Sequence, residues 1–200
     1  MKNAIRTVLL ALFLVLAGNA TAEAQSPEFQ WALTYQTALS TGETKDFIDQ
    51  FSWRNIGLEG RSMLNPDFSV GAFFGWNVFH DELDGTVSLG NVDASGYQSR
   101  YVNALPMLLT AHYYLGDRSG TRMFLGTGVG TYWIENRLEL GQTKITLDNW
   151  HFGLAPEVGI SIPTAGLSDA FLSVKYNYAF ESGGVTHRYW TFGIGLGGGF

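Results

Sequence analysis

The chain has 200 residues, enough for one domain of ordinary size. Only 15% are charged, 14% are aromatic, 25 positions are glycine and mean hydropathy is +0.03, which excludes a disordered chain and is too polar for a helical membrane protein. The absence of cysteine excludes a disulfide framework, and a net charge of −6 speaks against a nucleic-acid binder.

The first expected element is residues 1–24, read as an export signal. Lys2 and Arg6 precede an apolar run from Val8 to Ala17, and small residues follow to a cleavage site after Ala24. The run falls well short of the roughly 20 residues that a spanning helix needs. No cysteine lies near the cleavage site, so an acylated lipoprotein is excluded. The mature domain, 25–200, keeps 10 of the 12 basic and 17 of the 18 acidic side chains, for a net charge of −7.

From there the chain alternates with period two, the signature of strands with one apolar face. Eight strands are predicted near 28–39, 51–64, 68–80, 97–114, 122–135, 149–162, 169–180 and 188–200. In the first, Phe29, Trp31, Leu33 and Tyr35 face away from Gln30, Ala32, Thr34 and Gln36. The fourth is apolar on both faces from Ala104 to Leu109, and Pro106 inside it suggests a bulge. In the sixth, Trp150, Phe152, Leu154, Pro156, Val158, Ile160 and Ile162 oppose His151, Gly153, Ala155, Glu157, Gly159 and Ser161. In the last, Trp190, Phe192, Ile194 and Leu196, continued by Gly198 and Phe200, oppose Thr191 and four glycines.

Connections after strands 2, 4 and 6 are short. Those after strands 1, 3, 5 and 7 are read as longer polar loops: Ser40–Gln50, Asp81–Gly96, Asn136–Asp148 and Glu181–His187. Short turns at one end and long loops at the other fit an all-β, eight-stranded, antiparallel up-and-down transmembrane barrel. The face opposite the apolar one is mostly Gly, Ala, Ser and Thr, where a soluble barrel would show many Lys and Glu. The apolar face is therefore read as outward, toward lipid. The glycines at 126, 128, 130, 193, 195 and 197 either leave lumen space or serve sheet curvature.

Aromatic residues gather near strand ends, as interfacial girdles require. Trp53, Trp76, Tyr132, Trp133, Trp150, Tyr178, Tyr189 and Trp190 fall toward the long loops. Phe29, Trp31, Phe68, Tyr113, Tyr114, Phe171 and Phe200 fall toward the short turns and termini. Parity places Glu59, Arg61, Glu157 and Lys175 on the lumen face at roughly one depth. Unpaired charges there would cost several kcal/mol each, so a lumenal salt-bridge cluster that plugs the barrel is expected.

The terminal strand from Tyr189 to Phe200 resembles that of the small eight-stranded bacterial outer-membrane barrels, the OmpX-like and OmpA-barrel-like group. The segment Thr41 to Ile48 resembles a first-loop pattern of that group, as does the glycine ladder Leu125 to Gly130. The resemblance covers about residues 28–200. It implies an integral outer-membrane protein of the porin-like class in a Gram-negative envelope, exported through the periplasm. It further implies that Trp190, Phe192, Ile194, Leu196 and Phe200 form the signal read by the barrel-assembly machinery. Outer-membrane lipid and lipopolysaccharide are the expected partners, the barrel is expected to be a monomer, and no cofactor or metal is expected.

The reading is non-enzymatic, with loops serving envelope stability or surface interaction. The alternatives are a lipid-modifying barrel enzyme of the lipid A acylase or deacylase type, and a soluble periplasmic lipocalin-like binder. For the enzyme, the Ser, His and carboxylate candidates are His80, Asp81 and Ser88, or Glu181, Ser182 and His187. No G-x-S-x-G occurs, and the four histidines lack metal spacing such as H-E-x-x-H. His112 and His151 are read as girdle or lumen residues.

Overall fold

Alternation of apolar with small or polar residues gives each segment two unlike faces, and a strand is the element that separates them. In the computed structural model the described residues are 29–89, 92–117, 119–140, 143–164 and 168–199; the expected signal segment 1–24 and Phe200 lie outside them. The strands are β1 (Phe29–Thr41), β2 (Phe51–Asn65), β3 (Phe68–Leu89), β4 (Val92–Leu115), β5 (Arg122–Leu140), β6 (Thr143–Pro163), β7 (Ser168–Ser182) and β8 (Val185–Gly199). A short helix, α1 (Glu43–Phe47), interrupts the connection from β1 to β2. Each strand pairs antiparallel with its chain neighbours, and β8 closes on β1 with Leu33 opposite Leu196. The result is a closed eight-stranded up-and-down barrel with no free edge along its shared height.

The faces are reversed relative to a soluble barrel. Leu33 (55%), Leu109 (70%) and Ile194 (59%) are exposed on the outer wall, while Gln36, Asn55, Glu59, Thr110 and Asn177 are buried inside. Each large aliphatic left in water forgoes about 1.5–3 kcal/mol of transfer free energy. A wall built of such residues on all sides is stable only against hydrocarbon.

Three expectations are corrected. First, the segments 81–96 and 136–148 are not long loops. The β3–β4 ladder continues to Leu89 opposite Val92, and the β5–β6 ladder to Leu140 opposite Thr143. Above Trp150 the outward positions of β6 change from Phe152 and Leu154 to Lys144, Thr146 and Asp148, and the apolar residues Ile145 and Leu147 take the inner parity. β5 does the same, with Glu135, Arg137 and Glu139 outward and Ile134, Leu138 and Leu140 inward. The pairing runs on while its polarity inverts, because above the tryptophans the outer face meets water.

Second, Pro106 makes no bulge. The β3–β4 ladder skips from Phe74–Met107 to Asn77–Ala104 with equal steps on both strands, so no residue is inserted. Proline lacks the donor for that bond, and the opposite β4–β5 ladder continues through Pro106 and Tyr132. Third, Tyr114, Tyr132, Phe171 and Tyr189 are buried lumen residues rather than girdle residues.

Candidate functional site: a filled lumen and a capped mouth

The lumen is filled in layers. Nearest the short turns, Arg122 lies over the Tyr114 ring at 4.5 Å and donates to the Pro66 carbonyl at 2.9 Å. Tyr114 packs with Ala32, Met63, Phe124 and Phe171. Sequence reasoning missed Arg122, which sits where β5 begins and parity alone is uninformative.

The four charges expected in the lumen meet one layer higher. Glu59 and Arg61 are two apart on β2, so their side chains share a face, and Arg61 Nη2 donates to Glu59 Oε2 at 2.7 Å. Glu157 on β6 stands directly opposite Lys175 on β7, with Nζ 3.4 Å from Oε2. Neutral groups complete the set. Thr110 Oγ1 donates to Glu59 Oε1 at 2.7 Å, and Arg61 Nη1 donates to the Tyr114 hydroxyl at 2.9 Å. The Lys175 ammonium lies 3.6 Å from the Phe73 ring centroid. His112 bridges the two halves, its Nε2 3.7 Å from Glu59 Oε1 and 3.3 Å from Glu157 Oε2. Sequence reasoning left His112 out of the cluster. Gly126 makes its room, since a Cβ there would lie 2.3 Å from His112 Cδ2.

Glu59 Oε1, His112 Nε2 and Glu157 Oε2 lie within 4.8 Å of one another, a spacing that a metal ion could use. Yet two carboxylates already face two permanent cations, so the charges balance. A divalent ion would add two charges to a dry interior. The set is read as an ion-pair network.

Above the charges lie Phe73, Leu108, Ala155 and Tyr132, then Phe79, Val102, Ile134 and Tyr189. The mouth is closed by the segment after β1. Ile48 is fully buried in this last layer, and Phe47 packs against it. Gly42, at φ +55°, turns the chain into α1. Arg100 donates to the Phe47 carbonyl at 3.0 Å, Glu43 Oε2 accepts the Thr186 N–H at 2.7 Å, and Thr44 Oγ1 accepts the Arg188 N–H at 2.9 Å. The resemblance noted for Thr41 to Ile48 did not carry this inward fold.

On the outer wall Trp53 (66%), Trp76 (50%), Trp150 (59%) and Trp190 (38%) are exposed, and Trp133 and Tyr178 are partly exposed at the same end. Phe192 (41%), Ile194 (59%) and Leu196 (61%) continue outward below Trp190. Of the proposed catalytic groupings, the Ser88 side chain lies outside the described residues, and the other members do not assemble. His80 faces Glu82 at 3.1 Å and stacks on Tyr101, while Asp81 is buried on the other face. The ring nitrogens of His187 face Thr44 and Asn136, not Ser182.

No protein-family model and no curated protein matches the sequence. Solved structures do match in fold. The attachment invasion locus protein Ail of Yersinia pestis, solved with the heparin analogue sucrose octasulfate, superposes with TM-score 0.56 at 13% identity, covering 88% of this chain and 100% of that one. Neisserial surface protein A gives TM-score 0.55 at 15% identity, covering 90% and 100%. A major outer membrane protein of Thermus thermophilus gives 0.58 at 13% identity, covering 88% and 100%. The chain therefore has the fold of the small eight-stranded outer-membrane barrels.

Proposed function

We propose that this is an integral, monomeric outer-membrane barrel with a sealed lumen, without enzymatic activity, whose loop end serves envelope stability or contact with the cell's surroundings. The observation that carries the reading is the continuous filling of the lumen. Arginine, ion pairs, aromatic rings and the Ile48 cap succeed one another from the turn end to the mouth. An eight-stranded barrel is just wide enough for its own side chains, and this one uses them all the way up. Outer-membrane lipid and lipopolysaccharide would surround the wall, the tryptophans would mark the outer interface, and the last strand would be read during assembly.

The rim does not favour the polyanion seen on Ail. Its outward positions carry Glu82, Glu135, Glu139 and Asp148 with Arg137, Lys144 and Arg188, and Arg137 is held by Glu135 at 2.8 Å and Glu139 at 3.9 Å. The test is electrical. The protein refolded into a planar bilayer should show conductance near zero, and a large stable conductance would overturn the sealed-lumen reading. Lipid A mass spectra with and without the protein should be identical; a changed acyl pattern would restore the enzyme reading.

A further inference from the structure

The first loop is held in the mouth by contacts that include one titratable ring. Thr44 Oγ1 already accepts the Arg188 N–H, so its hydroxyl hydrogen is free to donate to His187 Nδ1 at 3.3 Å. With Nδ1 as the acceptor of that hydroxyl, the ring hydrogen sits on Nε2. Nε2 lies 3.4 Å from the Asn136 amide, whose Oδ1 is buried without a partner as oriented. Turning the amide over presents that oxygen to Nε2–H and satisfies both atoms. In the neutral Nε2–H tautomer, with the amide turned over, both ring nitrogens and the Asn136 oxygen have partners.

We propose that His187 is the latch of the first loop and that acid opens it. A second proton would charge a ring that is 3% exposed and that, among the described residues, is hydrogen-bonded to the neutral Thr44 and Asn136 and to no carboxylate, and α1 leaves the mouth. This rests on the reading that the loop seals the lumen.

From β6, His151 meets the ring edge-on with centroids 5.1 Å apart, and its Nδ1 is committed to the Phe180 carbonyl at 2.8 Å. From α1, Glu43 is the anion near the ring among the described residues, and it is engaged by the Thr186 N–H. β5 contributes the neutral Asn136. On β8 itself, Arg188 points outward over the Tyr178 ring. His187 lies three residues beyond Trp190, above the tryptophan belt. Burial, followed by repulsion from His151, lowers its pKa to about 4 against the opposing pull of Glu43. The released ring titrates near 6.5. Between these values the undocked state binds more protons, so docking is full above about 6.5 and weakens as pH falls through the window to about 4. The docking constant falls by on the order of 10²-fold across it.

The chain has no cysteine, so a single nitroxide can be placed at exposed Asp46 on α1 as Asp46→Cys. In lipid nanodiscs its EPR spectrum should pass reversibly from immobile to mobile between pH 6.5 and 4. His187→Asn, whose Oδ1 offers an acceptor near the place of Nδ1 and does not titrate, should stay immobile throughout. Thr44→Val, which also removes the acceptor of the Arg188 N–H, should be mobile already at pH 7.5, and His187→Gln, which does not titrate either, replaces His187→Asn if that variant does not refold. A label that stays immobile down to pH 4, the same transition in His187→Asn, or an immobile label in Thr44→Val would each overturn the latch. Heat-modifiable gel mobility and bilayer conductance are read in parallel. Loss of the first, or an open pore at pH 7.5, would count against the sealed barrel instead.

Discussion

Glu157 and Lys175 are direct cross-strand partners on β6 and β7, and their charges meet at 3.4 Å in the interior of the barrel. Each is nearly inaccessible, with side-chain exposures of 5% and 3%. The pair costs desolvation that its attraction must offset, so removing one member is worse than removing both. Glu157→Ala should destabilise the refolded barrel by about 3–5 kcal/mol. Glu157→Leu combined with Lys175→Met should recover most of that loss. Urea unfolding in lipid vesicles measures both, and a single variant as stable as the parent would show that Lys175 has another anion.

The balance of charge in this cluster bears on metal. Adding Zn²⁺ to the refolded protein should leave its thermal midpoint unchanged, because Arg61 and Lys175 already neutralise Glu59 and Glu157. A rise that disappears in His112→Ala would show that Glu59, His112 and Glu157 hold the ion.

Gly126 is set by its neighbour rather than by its own backbone, since a side chain there runs into the His112 ring. Gly126→Ala should cost about 1–3 kcal/mol through overpacking. The same exchange at exposed Gly184, where nothing lies within 4 Å but φ is +83°, tests backbone strain alone. Comparing the two unfolding curves separates lumen space from conformational freedom.

The inversion of polarity above the tryptophans gives a depth-dependent expectation. Leu154→Arg, on the outer wall below Trp150, should cost about 2–4 kcal/mol of folding free energy in lipid. Thr146→Arg, on the same outward parity above the belt and exposed, should cost about 1 kcal/mol or less. Equal costs at the two positions would mean that the belt does not mark the interface.

Much of the fold was legible because period-two alternation is local. The faces of Trp150 to Ile162 and of Trp190 to Leu196 follow from residue order alone. Glu59, Arg61, Glu157 and Lys175 were legible for a related reason: charges on the small-residue face of a strand have nowhere to go but the lumen. The upper halves of β5 and β6 were not, because the alternation changes phase at the belt. A residue such as Leu147 on the formerly polar parity breaks the pattern and reads as loop.

The sequence by itself determined that eight strands exist, which face meets lipid and which few charges lie inside. Only the tertiary structure decided how those charges are satisfied. His112 joins Glu59 to Glu157 across 53 and 45 residues of chain, and no local pattern reports a contact that depends on closure of the ring. The same holds for Ile48 in the mouth and for Thr44 against His187, 143 residues away. Alternation is a property of neighbours on a strand, whereas these contacts arise from side chains that converge on one axis once β1 and β8 have met.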